Sequence, residues 1–196
     1  MKKKKKYGQI GLGRLIEITK FLGSQNLAFR GSSDVLYQKD NGHFFKLVEL
    51  FAKFDPVMEF HIDRVLRPRG SNSKVHYLSK DTQNEMLQII GSSIREKILL
   101  SLRKAKYYFI ILDCTPDISK TEQMSVVIRF VLCSDRVGEI KEHFLGFIKV
   151  DDSTGNGLYE TVMEMLKMWN IPLDDIRGQG YDNGANMKGK EKWSSK

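Results

Sequence analysis

The hydrophobic period of this chain changes at Tyr107, and that change limits what it can fold into. Before Tyr107, apolar residues recur at helical spacing; after it come "YYFIILD", "EQMSVVIRFVLC" and "IKEHFLGFIKVD", three runs with strand character. "YYFIILD" (107–113) is almost unbroken apolar sequence, the pattern of a strand buried on both faces. "DRVG" separates the second and third runs as a hairpin turn. "TGNGLYETVMEMLKMW" reads as an amphipathic helix with Thr154 as its cap, and "DIRGQGYD" as a short strand. Strands are therefore expected near 107–113, 123–133, 140–150 and 176–181, with a helix near 155–169. Three antiparallel neighbours followed by a crossover helix return the last strand parallel beside the first. The ends of "YYFIILD" and "IRGQGYD" then lie side by side, and with them Asp113 and Asp182.

The residues before this sheet are read as helices, which makes the chain α+β with an α/β-like crossover. "LIEITKFLG" closes on Gly23, "HFFKLVELFAKF" repeats the helical stripe at Phe45, Val48, Leu50 and Phe51, and Pro56 opens "PVMEFHIDRVL". The long stretch "TQNEMLQIIGSSIREKILLSLRKAK", capped by Asp81 or Ser79, carries a stripe through Met86, Ile89, Ile90, Ile94, Ile98 and Leu102. "RGSSDVLYQKDNG" and "RPRGSNSKVHYLS" are polar loops. The expected organisation is a basic tail (1–9), a helical region (10–68), a linker (69–78), a sheet-bearing core led by the long helix (79–187) and a second basic tail (188–196).

A net charge of +8 suggests nucleic acid until the charges are located. Residues 2–6 are five consecutive lysines, and "KGKEKWSSK" adds four lysines against one glutamate, which leaves the body of the chain neutral. Binding to nucleic acid is then expected to be non-specific and to run through the lysine tails. A hydrophobic content of 41% with 29% charged residues belongs to a globular chain. No apolar stretch reaches the roughly 18–20 residues of a membrane span, and no secretory signal is present, so an intracellular location, nuclear or cytoplasmic, is expected with no membrane partner. Cys114 and Cys133 are too few for a disulfide framework, and with the scattered histidines His43, His61, His76 and His143 they never approach zinc-ligand spacing.

Carboxylates at the ends of two adjacent parallel strands can share a divalent cation, and magnesium accepts one or two of them alongside water and phosphate oxygens. Asp113 and Asp182 are the candidate metal and catalytic residues on this reasoning. The plainer reading of the spacing alone is that each Asp starts a turn, before Thr-Pro in one case and Asn-Gly in the other. Cys114 as a nucleophile would need a base, for which His143 is the one candidate; a small buried residue is the simpler reading. "GANMKGKE" (184–191) departs from a phosphate loop at Glu191, and "GQGYDN" from a dinucleotide fingerprint at Asn183.

The blocks "LAFRG", "FAKFDPV", "YYFIILDCTPDISKTEQMSVVIRFV", "GEIKEHFLGFIKVDDSTG" and "IRGQGYDNGANMKG" resemble, in order and over nearly the whole chain, the hAT-type transposase-like domain of zinc-finger MYM-type proteins. The resemblance implies a ribonuclease-H-like fold, here an incomplete mixed sheet, with Asp113 and Asp182 at two of the catalytic positions and magnesium as the cofactor of an active site. It also implies departures. Cys114 stands where relatives carry Glu, and the third carboxylate of the family, a Glu, lies downstream of the position at which this chain ends. The expectation is a transposase-derived, catalytically inactive fragment that serves as a protein- or nucleic-acid-interaction module, without bound cofactor and prone to self-association. The alternatives are a metal-dependent nuclease or strand-transferase with an abbreviated Asp site, and a structural remnant without activity.

Overall fold

The computed structural model describes residues 2–67, 77–116, 122–134 and 137–181. They fall into two compact units, Met1–Ser92 and Ser93–Lys196. Helix α4 (Lys80–Ala105) contributes its first turns to one unit and its last turns to the other.

The first unit consists of α1 (Lys2–Ser24), α2 (Gly42–Ala52), α3 (Pro56–Leu66) and the start of α4. The lysine run 2–6 lies within α1. Leu15, Ile18 and Leu22 of α1 recur at helical spacing and pack with Phe44, Val48, Met58 and Ile62 in one core. Asp55 starts α3: its carboxylate accepts from the backbone N–H groups of Val57 (2.8 Å) and Met58 (3.4 Å), and Pro56 occupies the first turn, where its missing N–H costs nothing. Arg14 donates to the same carboxylate at 2.8 Å. Ser79 caps α4 through the Thr82 N–H, and His61 is buried with its ring stacked on Tyr77, a packing histidine. Nothing in a helical stripe shows where its burial stops: Met86 is buried, whereas Ile89 and Ile94 are exposed, because the packed ends of α4 belong to different cores.

The second unit is a four-stranded mixed sheet of order β3-β2-β1-β4, with β1 (Tyr108–Pro116), β2 (Glu122–Ser134), β3 (Val137–Val150) and β4 (Ile176–Tyr181). β1 pairs antiparallel with β2 and parallel with β4, and β2 pairs antiparallel with β3. The crossover helix α5 (Gly155–Met168) begins where the Thr154 hydroxyl accepts from the Gly157 N–H at 3.2 Å. It ends at Asn170, whose left-handed backbone (φ 51°) lets the Ile171 N–H reach back to the Leu166 carbonyl. The core joins Leu99 and Leu102 of α4, Leu158, Val162 and Met165 of α5, and one face of the sheet: Ile110, Leu112, Val126, Ile128 and Phe130.

Two expectations about "YYFIILD" need correction. The run is not buried on both faces: Tyr108, Ile110 and Leu112 are buried, but Tyr107 and Phe109 are half-exposed. Nor does the strand end at Asp113. The ladder with β2 continues through Asp113↔Ser125, Cys114↔Met124 and Thr115↔Gln123 to Pro116↔Glu122, since an antiparallel neighbour can carry a strand beyond the reach of its parallel one.

Candidate functional site

The lip of the β1–β4 pair is the candidate site. On this side of the sheet the parallel register runs Phe109↔Gly178, Ile110↔Gln179, Ile111↔Gly180 and Leu112↔Tyr181. The next residue of β1 is Asp113; its expected counterpart, Asp182, lies outside the described residues, as do the phosphate-loop-like stretch 184–191 and Asn183. The register is fixed near its start by the buried Tyr108, whose hydroxyl donates to the Pro172 carbonyl at 2.7 Å, tying β1 to the segment that enters β4. Burial, then the charge of Asp175, pushes the Tyr108 phenol well above its ordinary range and keeps it a donor.

Strand alternation puts Asp113 and Cys114 on opposite faces. Cys114 packs against the core, and burial pushes its thiol upward, helped by the Glu122 and Asp113 carboxylates. It therefore stays a neutral thiol, neither an activated nucleophile nor a good metal ligand. His143 is no base for it. Cys114 pairs with Met124, whereas His143 pairs with Ile128 four residues along β2, roughly 13 Å away at a strand's rise, with its ring near Phe130. Asp113 is half-buried on the opposite face, level with Ser125 and, one strand further, with Phe147. The described residues thus offer a magnesium ion one carboxylate here. Among them no group of three or more His, Cys, Asp or Glu side chains converges to hold a metal.

The face that carries Asp113 is apolar. It comprises Phe109 and Ile111 of β1, Val127 and Val131 of β2, and Ile140, Phe144 and Phe147 of β3. A bulge makes part of it: the register shifts between Val126 and Val127, Leu145 turns into the core, and Phe144 and Phe147 meet on the outer face with ring centroids 4.9 Å apart. On β4 this face shows two glycines, and the Phe109 ring occupies the space a Cβ at Gly178 would need. Toward the Asp113 end the same face also carries Gln123 on β2 and Lys149 on β3, and farther along it holds one cross-strand ion pair, Arg129 on β2 and Glu142 on β3, with Nε–Oε2 at 2.7 Å and Nη2–Oε2 at 2.5 Å.

A family model described as "ZMYM1/FAM200, RNase-like domain" (DUF4371) matches residues 1–192. The chain belongs to this RNase-like domain family. It is similar to the human and mouse proteins named "52 kDa repressor of the inhibitor of the protein kinase", at 28% identity in each case over 191 residues and 92% of this chain. It spans 23% of the length of those relatives. The mixed sheet with its crossover helix agrees with an RNase-like arrangement. Among the described residues, no helix of this domain is long and apolar enough to cross a membrane.

Reasoning from the sequence brought β1 and β4 together but missed the outer apolar face of the RNase-like sheet. A signal was present: Arg129 interrupts "SVVIRFV" at a position whose neighbours two residues away are valines, which marks a face that meets water. The spacing of Phe144 and Phe147, three residues rather than two, gives no such hint, because only the pairing reveals the bulge.

Proposed function

We propose that this RNase-like domain is transposase-derived and works as a protein-interaction module, with Asp113 and Asp182 as a vestigial pair that no longer supports strand cleavage. The observation that carries this reading is the chemistry of the face around Asp113. Its described neighbours there are Ile111, Ser125, Gln123, Val127 and Phe147, none of them charged, and the nearest cation on that face, Lys149 two residues beyond Phe147, is paired with Asp151 at 2.5 Å. Handling a phosphodiester calls for cations and a clamped ion pair, whereas an apolar sheet face calls for another apolar surface. The name of the human and mouse relatives, a repressor of an inhibitor, is that of a regulator and supports the same direction. Binding to nucleic acid through the lysine runs is, in this reading, weak and non-specific.

A metal-dependent nuclease or strand-transferase is the second reading, and one observation favours it: the parallel register with Leu112 opposite Tyr181, which makes Asp113 the next residue of β1 and Asp182 the residue that follows β4 in the sequence. Incubation of the purified chain with supercoiled and linear DNA in magnesium or manganese separates the two. No cleavage is expected, and little change in magnesium affinity on Asp113→Ala. Metal-dependent cleavage that disappears in both Asp113→Ala and Asp182→Ala overturns the proposal in favour of the enzyme.

A further inference from the structure

We infer that the outer face of the sheet binds a second copy of this chain, face to face about a two-fold axis, with Arg129 and Glu142 exchanged between the copies. This rests on the interaction-module reading and names its partner. The surface itself is the first observation. Phe109 is 48% exposed, Phe144 49% and Phe147 62%, and beside them lie Ile140 at 69% and Val131 at 45%. At roughly 200 Å² per aromatic side chain, the three rings alone leave on the order of 300 Å² of apolar surface in water. With Ile140 and Val131 the face reaches the size of the largest apolar patches on ordinary monomers, ~300–600 Å².

The charged pair selects the occupant. Arg129 stands between Val127 and Val131 along β2, opposite Phe109, and Glu142 stands between Ile140 and Phe144 along β3. Both nitrogens of Arg129 in the pair reach one oxygen, Oε2; among the described residues Nη1 of Arg129 and Oε1 of Glu142 have no partner. A purely apolar cover, such as the stripe of an amphipathic helix, would remove this pair from water and leave those atoms unsatisfied, a cost its apolar contacts must offset. A suitable cover must bring an acid and a base at matching positions within an apolar ring. A second copy rotated by a two-fold axis does so by symmetry, since a C2 interface places each surface opposite itself. Arg129 of each copy then meets Glu142 of the other, and the flanking rings and aliphatic side chains pack as in an aligned sheet-on-sheet contact. The area is below the ~800 Å² per partner of a standard interface, so the dimer exchanges with monomer at micromolar concentrations.

The test uses the full chain in sedimentation velocity from about 1 to about 100 μM. Its weight-average mass is expected to rise from the 22.6 kDa of one chain toward twice that value. Arg129→Glu alone and Glu142→Arg alone should each stay monomeric, since each puts like charges together across the axis. An equimolar mixture of the two should regain the dimer, because every cross-axis pair is then Glu with Arg; repair within either chain cannot produce this result. Far-UV circular dichroism checks that both variants are folded. A second readout needs no variant: alkylation of Cys133, exposed on β2 beyond Val131, should slow several-fold in the wild-type chain as concentration rises through the transition. A chain monomeric at every concentration, a mixture no heavier than its components, or a Cys133 rate independent of concentration overturns the inference. A monomer that also fails to cleave DNA leaves the interaction-module reading in place with another partner, whereas metal-dependent cleavage removes that reading whatever the mass.

Discussion

The Tyr108 hydroxyl, through its bond to the Pro172 carbonyl, should decide how firmly β1 holds its register against β4, and Tyr108→Phe isolates that bond. The side chain is buried, the ring of phenylalanine fills the same space, and what is lost is one hydrogen bond of 2.7 Å. Such a bond contributes about 1 kcal/mol net. Pro172 lies at an exposed position, so its carbonyl can turn to water and the cost should not greatly exceed that figure. The variant also has a pH signature. In the wild type the phenol titrates above its ordinary value of about 10, mainly because burial disfavours the phenolate and secondly because Asp175 lies near. The folded state therefore holds the proton more tightly than the unfolded chain. The stability this represents is fully present below pH ~10 and declines above it, by up to ~1.4 kcal/mol per pH unit, until the folded phenol itself ionises. Phenylalanine has no such dependence. Urea unfolding followed by tryptophan fluorescence reports on the second unit through Trp169, which packs against its core. The variant is expected to be about 1 kcal/mol less stable at pH 7. The gap should close near pH 11 as the wild type alone loses stability; every other titrating group is common to both proteins and cancels. A gap of constant size from pH 8 to pH 11 would refute the reasoning, as would no gap at pH 7.

In the first unit, Asp55→Ala should cost about 1–2 kcal/mol, because it removes the cap of α3 and the bond from Arg14 together. The Arg14 hydrogen bond, with those from Val57 and Met58, holds the Asp55 carboxyl below its ordinary value against the opposing effect of burial. Its contribution is present above pH ~4 and lost as pH falls through the depressed folded value, so the difference between wild type and variant should shrink in acid titrations of stability and be unchanged between pH 6 and 8. Deleting residues 1–6 should abolish most of any DNA binding measured by fluorescence anisotropy at low salt; binding retained at ~150 mM salt after the deletion would point to a basic surface on the folded units instead.

The order of elements was legible in the sequence because each was marked by a local signal with one reading. Pro56 opens a helix that runs to Leu66, and Thr154 caps a helix long enough to cross from β3 back to β4, which forces the parallel return that brings Leu112 opposite Tyr181. What was not legible is how far each of these elements is covered. "YYFIILD" reads as buried on both sides because six apolar residues in a row say nothing about what lies over either face; the helices cover one, and Phe109 remains half-exposed on the other. The stripe of α4 fails for the same reason, since Ile89 and Ile94 fit the period but are exposed and belong to neither core. Asp113 shows the point most directly. The turn chemistry of Thr115-Pro116 suggested a strand ending at the carboxylate, yet a strand ends separately against each neighbour: the ladder with β2 goes on to Pro116, while the last described pair with β4 is Leu112↔Tyr181. Asp113 is thus held by hydrogen-bonded backbone on one side and stands just beyond the last described pair on the other. That placement fixes the backbone of the carboxylate independently of any metal. Loss of ion binding would then leave the sheet, and the face used for association, intact.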